Sequence, residues 1–411
     1  MIPLEHARSR VLAGIEPFTP ERVRLWHALG LVLAEDVVAP GDVPPFANSA
    51  MDGYAVRAAD TERVPVVLPV VEDLAAGHVA SAVLEAGTAI KIMTGAPLPE
   101  GADAVVPVED TEQQGEAVRV LAPVVAGSSV REAGGDVRAG ATVFTAGTRL
   151  TPPHLGVLSA VGVAAPLVRR RPRVGIMSTG DEVRPPETNR LLPGQIRDAN
   201  RPLLGGLLAD LGVETHDYGI VADDAGRLRA TLRRAAAETD AVLTSGGVSM
   251  GDYDLVKQIV TELGDVALWK VAMQPAKPFA YGRIDGTPFF GLPGNPVSVL
   301  VAFEQFARPA LLTMMGARRI LRPRVTGRAA VSFATPEDKT AFIRVNARWV
   351  DGGWFVEPSG GQASNVLSAA AQADAFAVIP VGVGRVAEGD VVTLEMFRWP
   401  EDRRSEDSVD G

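Results

Sequence analysis

The run RVGIMSTGDE, residues 173–182, decides the fold of this chain, because a short apolar stretch ends abruptly in a Gly-containing loop with two acids. Residues 174–177 have the length and character of a buried strand. Two more apolar runs, 241–244 and 289–292, also end in Gly-rich loops. Helical patterns separate the runs, with leucines at helical spacing in 203–211 and a second helix at 225–238. The alternation over 173–316 predicts a parallel sheet with helices on both faces.

The amino-terminal part of the chain combines helical and β-rich patterns. We predict helix over residues 3–39 and a β-rich domain over 46–140, whose short apolar runs are separated by Gly, Pro and Asp. Thr151 followed by two prolines has the pattern of an N-cap and first turn, which predicts a helix over 154–161. Because helical character returns there, we expect the β-rich domain to be inserted into a helical, partly extended domain comprising 1–45 and 141–172.

The carboxyl-terminal part returns to strands. The α/β domain is expected to cover residues 173–320. Short apolar runs at 341–345, 354–357, 375–379 and 391–396 then predict a small β-barrel or sandwich domain over 321–400. Residues 401–411 are charged, and we predict a disordered tail there.

Composition excludes several classes of function. The 411 residues include no Cys, which rules out disulfides, thiolate zinc sites and a cysteine nucleophile and fits a cytoplasmic location. The net charge of −10 argues against a nucleic-acid-binding face. No apolar run is long enough to predict a membrane span, and no signal peptide is recognisable at the start of the chain.

The chemistry is predicted at the carboxyl ends of the strands, where ligands bind in open α/β sheets. Small and flexible residues there suit a phosphorylated anion: Ser178, Thr179, Gly180, Ser245, Gly246, Gly247 and Ser249. The carboxylates that follow cannot bind phosphate directly, so we predict that Mg²⁺ bridges to it from Asp181, Glu182, Asp252 and Asp254. The alternative is that these residues form helix caps and tight turns, above all Asp252 and Asn295.

Two other regions supply candidates of less specific character. Lys277 lies between Pro275 and Pro278 and could neutralise an anionic oxygen, although it could also be an ordinary solvated lysine. In the β-rich domain, Asp52, Thr94 and Asp136 lie in predicted turns that could face a ligand.

Five of these runs together resemble one family. They are SAMDGYA at 49–55, TGAPLPEGADAVV at 94–106, STGDEV at 178–183, TSGGVSMG at 244–251 and GLPGNPVS at 291–298. In order and spacing they are similar to the molybdopterin molybdenumtransferases, the MoeA-type proteins also seen as the E domain of gephyrin. The resemblance extends from about residue 44 to 396. It implies a central doubly wound α/β domain of molybdopterin-binding type with the three flanking domains described above.

The resemblance also implies an activity. The family's enzyme takes adenylylated molybdopterin and molybdate, inserts molybdenum and releases AMP, with Mg²⁺ assisting. It implies a homodimer in which the β-rich domain of one subunit faces the α/β domain of the other. The motif positions that match the family's catalytic residues are Asp52, Thr94, Asp136, Glu182, Asp223 and Asp254. Those that match its substrate-binding residues also include Lys270, Lys277, Pro293, Pro296 and Ser364, with the two prolines beside the expected molybdate position.

Three positions depart from the family pattern. Ala47 stands where Asp is frequent, Gln274 where some members have Lys beside the anion, and Ala276 where Gly is common before Lys277. Two alternative functions remain at this point. One is the adenylyltransferase of the same pathway, which would attach AMP from ATP; the inserted and carboxyl-terminal β domains argue against it. The other is a non-catalytic molybdopterin-binding scaffold, for which no receptor-binding extension is recognisable.

Overall fold

The computed structural model describes residues 1–247 and 255–399. Within these residues the chain forms two compact units. The first comprises Met1–Glu21, Gly30–Val32 and the described part of the chain from Arg169 onwards, and the second comprises Arg22–Leu29 and Leu33–Val168. The first unit contains the α/β sheet and the carboxyl-terminal β domain, and the second contains the β-rich region.

The opening segment is helical over a much shorter stretch than the sequence predicted. Helix α1 covers Leu4–Ala13 and is followed by strand β1 (Glu21–Arg22), a 3-10 turn at Leu25–His27, and strands β2 (Val32–Leu33) and β3 (Val37–Val38). The prediction of helix over residues 3–39 is therefore wrong beyond Ala13. Pro17 and Pro20 explain the early end, because proline lacks the amide N–H and restricts the residue before it to extended conformations.

The second unit is built on a six-stranded sheet with the order β8-β5-β7-β6-β10-β9, parallel only between β6 and β7. The bounds of its elements are β4 (Asn48–Ser49), β5 (Gly53–Val56), β6 (Val66–Leu74), β7 (Ala89–Ile92), β8 (Ala104–Pro107), β9 (Thr111–Gln114), β10 (Ala117–Val120), β11 (Val130–Arg131), β12 (Thr142–Phe144), α2 (Pro152–Ala160) and β13 (Leu167–Arg169). The predicted cap of α2 is confirmed, since Thr151 and His154 form a capping box with Pro in the first turn.

The α/β part alternates strands and helices as predicted. Its elements are β14 (Arg173–Thr179), β15 (Val183–Arg184), β16 (Ile196–Arg197), α3 (Asn200–Leu211), β17 (Glu214–Val221), α4 (Ala225–Glu238), β18 (Ala241–Ser245), α5 (Leu255–Leu263), β19 (Gly264–Lys270), β20 (Met273–Gln274), β21 (Pro278–Ile284), β22 (Thr287–Leu292), α6 (Pro296–Ala302), a π-helical turn (Phe303–Ala307) and α7 (Arg308–Met314). Ile176 and Met177, adjacent on β14, belong to two different apolar clusters. Helices therefore cover both faces of the sheet.

The sheet itself is mixed. Its order is β17-β14-β18-β22-β21-β19, and the first four strands are parallel. Strands β21 and β19 are antiparallel to their neighbours, so the prediction of a parallel sheet needs correction at this edge. The cause is a two-residue hairpin at Asp285-Gly286, where both residues have positive φ (47° and 87°). An Asp-Gly pair between apolar runs is a strong hairpin signal.

The carboxyl-terminal domain is a closed barrel. Its elements are β23 (Arg324–Ala329), β24 (Phe333–Ala334), β25 (Thr340–Val350), β26 (Gly353–Pro358), α8 (Leu367–Gln372), β27 (Ala375–Ile379), β28 (Arg385–Val386) and β29 (Val391–Met396). The ring β25-β26-β23-β29-β27 closes because β27 also pairs with β25. Closure leaves no edge among these five strands. Of the two architectures that the sequence allowed, the structure selects the barrel.

The helical segment Pro296–Met314 is long and apolar enough, by length and composition, to cross a membrane. In this fold 89% of its apolar window is buried. Phe303, Phe306 and Leu311 lie in the largest apolar cluster. This is the environment of a core helix, whose apolar surface is covered by the rest of the fold on all sides.

Candidate functional site

Loops at the carboxyl ends of four parallel strands line one cavity of about 680 Å³. The loops follow β14, β17, β18 and β22. The lining residues are Thr179, Gly180, Glu182, Ile196, Asp223, Gly246, Gly247, Leu255, Val256, Pro278, Pro293, Gly294 and Asn295. The cavity therefore lies where the sequence predicted it, and it includes Thr179, Gly180, Glu182, Asp223, Gly246, Gly247 and Pro293 from the predicted site.

The two glycines after β18 are required by the geometry of the loop. Gly246 and Gly247 have φ of +86° and +67°, in the left-handed region that favours glycine. A Cβ on Gly247 would lie 2.0 Å from Val256 Cγ2, and one on Gly246 would lie 2.8 Å from the carbonyl oxygen of Thr179. This part of the cavity wall is therefore bare backbone, which a phosphate can approach closely.

Carboxylates from two loops meet at one side of the cavity. The N–H of Asp223 donates to Asp181 Oδ1 at 3.0 Å, and the N–H of Asp181 donates to Asp223 Oδ2 at 3.4 Å. Glu182 folds back over Gly180, where a Cβ would lie 2.5 Å from its Oε2. The neighbouring Asp224 has a different role, because it caps α4 by accepting from the N–H of Arg227.

The remaining predicted metal ligands, Asp252 and Asp254, lie outside the described residues, as does Ser249. Across residues 1–247 and 255–399, no group of three or more His, Cys, Asp or Glu is arranged to hold a metal ion. Asp181, Glu182 and Asp223 therefore do not form a complete cation site by themselves.

Ser178 and Ser245 point into the protein. Their exposed fractions are 1% and 2%. Ser178 Oγ donates to Asp198 Oδ1 at 2.9 Å and lies 3.2 Å from Ser245 Oγ. Thr179 Oγ1 donates to the carbonyl of Ser245 at 3.4 Å. These hydroxyls connect the loops to each other. Sequence reasoning missed Asp198, the acceptor for Ser178, because no motif marked the segment before α3.

A second cavity of about 440 Å³ adjoins the first, since Pro278, Pro293 and Asn295 line both. Its other lining residues are Met273, Gln274, Pro275, Ala276, Lys277, Ser298, Lys339, Gln362, Ala363 and Ser364. The structure thus brings the predicted Lys277 and Ser364 together. It adds Lys339, which precedes β25 and lies in none of the motifs that mark the other site residues.

Arg344 anchors the loop that carries Ser364 through hydrogen bonds to its backbone. This side chain is 1% exposed, and burial lowers the pKa of its guanidinium. It donates to the carbonyls of Gly361 at 2.8 Å and Ala363 at 3.2 Å. The N–H of Val297, in α6, donates to the carbonyl of Ser364 at 3.1 Å. Both contacts fix one wall of the second cavity.

The backbone conformation at Ala276 explains why Gly is common at this position in the family. It has φ of +71° and is 2% exposed. The left-handed conformation there accounts for a preference for Gly at this position, because a side chain is strained in it. Lys270 and Pro296 line neither cavity: Lys270 is the exposed last residue of β19, and Pro296 is the first residue of α6.

The second unit contains the other predicted residues. Asp52 Oδ1 accepts hydrogen bonds from the N–H and the Oγ1 of Thr94, both at 2.7 Å. These bonds, the backbone one above all, hold the pKa of Asp52 below its ordinary value. Asp136 lies in a separate exposed turn, where its N–H donates to the carbonyl of Val43. The structure therefore pairs Asp52 with Thr94 and does not join Asp136 to them.

Comparison with known proteins covers almost the whole chain. Residues 2–162 match the model of the MoeA N-terminal region (domain I and II), residues 175–313 a probable molybdopterin binding domain, and residues 326–397 the MoeA C-terminal region (domain IV). A molybdopterin molybdenumtransferase 2 of Mycobacterium tuberculosis is 42% identical over 94% of this chain and 96% of its own length. A molybdopterin molybdenumtransferase of Haemophilus influenzae is 35% identical over 97% and 99%. The solved MoeA protein of Pyrococcus horikoshii OT3 superposes with a TM-score of 0.82 at 31% identity, covering 97% of this chain and 100% of that one.

Proposed function

Because this chain belongs to the MoeA family of molybdopterin molybdenumtransferases, we propose that it inserts molybdenum from molybdate into adenylylated molybdopterin and releases AMP. The observation that carries the proposal is the pair of adjoining cavities that share Pro278, Pro293 and Asn295. One cavity has Gly-rich walls with acids, and the other has two lysines. This arrangement suits a large phosphorylated substrate next to a small oxyanion.

The first cavity is proposed to bind the phosphate-bearing substrate. The bare backbone at Gly246 and Gly247 allows a phosphate to approach closely. Gly294 lies next to this backbone, since a Cβ added to Gly294 would be 3.9 Å from Gly246 Cα. Glu182 and Asp223 line the same cavity. From this position their carboxylates can orient a water against the phosphoanhydride or hold its proton.

The second cavity is proposed to bind molybdate as substrate. Lys277 and Lys339 supply two positive charges, which attract a dianion, and Ser298 and Ser364 supply hydroxyls for hydrogen bonds to its oxygens. Gln274, where some family members have Lys, also lines this cavity, so the chain offers an amide where they offer a charge. Lys339 adds a cation on another loop, where its Nζ lies 3.1 Å from Asp338 Oδ1.

Mg²⁺ is proposed as the assisting ion. The chemistry of Asp181, Glu182 and Asp223 fits it, because all three offer hard carboxylate oxygens and Asp181 and Asp223 each use one oxygen for a backbone N–H. Asp252 or Asp254 would complete the set. When bound, the ion would act as a Lewis acid toward the phosphate oxygens. The protein's own residues would position the substrate and exclude water around it.

The quaternary state, location and partners are proposed from the resemblance and the composition. We propose a cytoplasmic homodimer that binds neither nucleic acid nor membranes. The net charge of −10 and the absence of Cys agree with this proposal.

The deciding experiment is incubation of the purified protein with adenylylated molybdopterin, molybdate and Mg²⁺, with AMP followed by chromatography. We expect molybdate to accelerate AMP release and removal of Mg²⁺ by a chelator to stop it. Formation of pyrophosphate from ATP and free molybdopterin would instead support the adenylyltransferase alternative. Binding of molybdopterin without either reaction would support the scaffold.

A further inference from the structure

Asp198 is a buried carboxylate to which none of the roles proposed above has been assigned. Its side chain is 2% exposed. Its Oδ1 accepts three hydrogen bonds, from Ser178 Oγ at 2.9 Å and from the N–H groups of Asn200 and Arg201 at 3.1 and 3.2 Å. Its Oδ2 lies 3.3 Å from Arg201 Nε. One carboxylate therefore joins the end of β14 to the start of α3.

The hydrogen bonds of this network extend to two other loops of the first cavity. Ser178 Oγ lies 3.2 Å from Ser245 Oγ, at the end of β18. Asn200 Nδ2 donates to the carbonyl of Gly294 at 2.7 Å, in the loop after β22. Three of the four strand ends that line the cavity, those of β14, β18 and β22, are thus tied to Asp198 directly or through one further residue.

The backbone around Asp198 also fixes the segment that presents Glu182. The N–H of Asp198 donates to the carbonyl of Arg184 at 2.8 Å, and the N–H of Ile196 donates to the carbonyl of Glu182 at 2.9 Å. The short parallel pairing of β15 with β16 lies between these two bonds. The chain therefore leaves the cavity after Glu182 and returns to its wall at Ile196, two residues before Asp198.

Burial of a carboxylate is costly unless it is hydrogen-bonded and paired, and here the three hydrogen bonds to Oδ1 and the ion pair of Oδ2 with Arg201 offset that cost. Oδ2 itself has no hydrogen-bond partner, so the arrangement of the network depends on the bonds to Oδ1. A helix cap alone would not require this burial, since exposed Asp, Asn and Ser side chains cap helices equally well. Here the same oxygen also accepts from a strand-end hydroxyl, so the three loops cannot shift independently. Placement at this accuracy matters for catalysis, because misplacement by about 1 Å can cost roughly 100-fold in rate.

We propose that Asp198 is a positioning residue of the proposed molybdenum-transfer site. Through Ser178, Asn200 and the segment back to Glu182 it holds the three loops in the arrangement that the substrate requires. This inference rests on the proposed function and goes beyond it, because Asp198 lines neither cavity.

The test compares variants that remove the network stepwise. Asp198→Ala removes the central carboxylate, Ser178→Ala removes the links to β14 and, through Ser178, to β18, and Asn200→Ala removes only the link to Gly294. Asp198→Asn keeps an acceptor oxygen and removes the charge.

The matched control is Asp240→Asn. Asp240 is also a largely buried carboxylate (13% exposed), and it is paired with Arg170 and Arg173. It precedes β18 and lies away from the cavity. Each variant is assayed for kcat and KM of AMP release, for thermal melting, and for hydrogen exchange of residues 178–182 and 292–296.

We expect kcat/KM to fall roughly 100-fold in Asp198→Ala. It should fall about threefold to tenfold in Ser178→Ala and Asn200→Ala, with little change in melting. Asp198→Asn should recover most of the loss in Asp198→Ala. The double variant Asp198→Ala/Ser178→Ala should be no worse than Asp198→Ala, because both act through one network. Exchange should rise in both loops in Asp198→Ala and stay unchanged in Asp240→Asn.

The proposal is overturned if Asp198→Asn, Ser178→Ala and Asn200→Ala all retain wild-type kcat/KM, or if the losses of Asp198→Ala and Ser178→Ala multiply in the double variant. Should Asp198→Ala fail to fold, the other three variants still decide. Hydrogen exchange is measured without substrate. If the wild-type protein releases no AMP, the proposed function fails, and exchange in the two loops alone decides whether Asp198 holds them.

Discussion

At the scale of single residues, the candidate site divides its side chains between those that face the cavities and those that hold them. Glu182 and Asp223 line the first cavity, and Lys277 and Lys339 line the second. Ser178 and Ser245, which the sequence analysis placed among the substrate-binding residues, have buried hydroxyls that bond to each other, and Ser178 also donates to Asp198. Residue type alone did not distinguish these roles, because a serine at a strand end can point either way.

Glu182→Gln should abolish turnover and leave the fold intact. The side chain is exposed in the cavity, so its loss opens no core, and the amide is nearly isosteric with the carboxylate. We expect kcat of AMP release to fall by roughly 100-fold or more, as for loss of a general acid or base. Thermal melting should stay within about 1 °C of wild type.

The matched control for this prediction is Glu187→Gln. Glu187 is an exposed acid between β15 and β16, close to Glu182 in the sequence, and it lines neither cavity. It should keep normal kcat. Near-normal turnover in Glu182→Gln would remove Glu182 from the catalytic residues. The same change at Asp254→Asn tests a residue outside the described range, for which capping by Asn would predict little effect.

Thr94→Ala should raise the pKa of Asp52 toward its ordinary value. In the folded protein the N–H and hydroxyl of Thr94 stabilise the carboxylate and lower that pKa, and the variant removes the hydroxyl. Since the folded-state pKa lies below the unfolded one, the bonds stabilise the fold above the unfolded-state pKa. This contribution is lost as pH falls through the folded-state pKa.

Carboxyl chemical shifts of Asp52 over pH 2 to 6 would measure this change. Thr88→Ala is the control, since Thr88 Oγ1 donates to the carbonyl of Glu85 and to no carboxylate in the described structure. An Asp52 titration that is identical in Thr94→Ala and wild type would show that the hydroxyl has no influence on it.

At the scale of elements, the sheet and its loops differ in how far local patterns determine them. Helix α3 ends at Gly212, whose φ of +72° is the left-handed conformation that a glycine C-cap adopts, and Asp224 caps α4. Strands β19 and β21 were missed because their pairing is tertiary, although Asp285-Gly286 marks the hairpin of β21 with β22. The length of the opening helix was overestimated because Leu25 and Leu33 were assigned to a helical face. Leu25 lies in a 3-10 turn and Leu33 in β2.

Gly247→Ala and Gly206→Ala should change stability in opposite directions. At Gly247 a Cβ would collide with Val256 Cγ2 at 2.0 Å and φ is +67°, so we expect a loss of at least about 2 kcal/mol in the free energy of unfolding. Gly206 lies in α3 with nothing within 4 Å of a Cβ, so Ala there should stabilise the protein by about 0.5–1 kcal/mol.

Urea unfolding of both variants measures the two changes. Substrate binding by Gly247→Ala should also weaken, whereas Gly206→Ala should bind normally. A Gly247→Ala protein as stable as wild type would mean that the loop after β18 adopts another conformation in solution.

At the scale of the whole molecule, the central prediction concerns assembly. We expect light scattering to give a mass of twice the 43.2 kDa chain. Mixing inactive Asp52→Ala chains with inactive Glu182→Gln chains should then restore about a quarter of the wild-type activity, because half of the dimers are hybrids with one intact site. Asp52→Ala mixed with Thr94→Ala, both altered in the same unit, is the control and should restore none. A monomeric mass would contradict the homodimer, and equal activity in both mixtures would contradict a site shared between the two subunits.

The sequence by itself determined the family, the α/β core with a β-rich region before it and a carboxyl-terminal β domain after it, and the cavity at the strand ends. These follow from short-range signals: apolar runs, the Thr151 cap, the Gly212 stop, and motifs read within about ten residues. Only the tertiary structure decided which side chains face the cavity, that Lys339 joins Lys277, and that Asp198 connects the loops. Ser178 and Asp198 are 20 residues apart, and Asn200 and Gly294 are 94 apart. Contacts at such separations depend on how the sheet places the strand ends next to each other, and no local pattern records that placement.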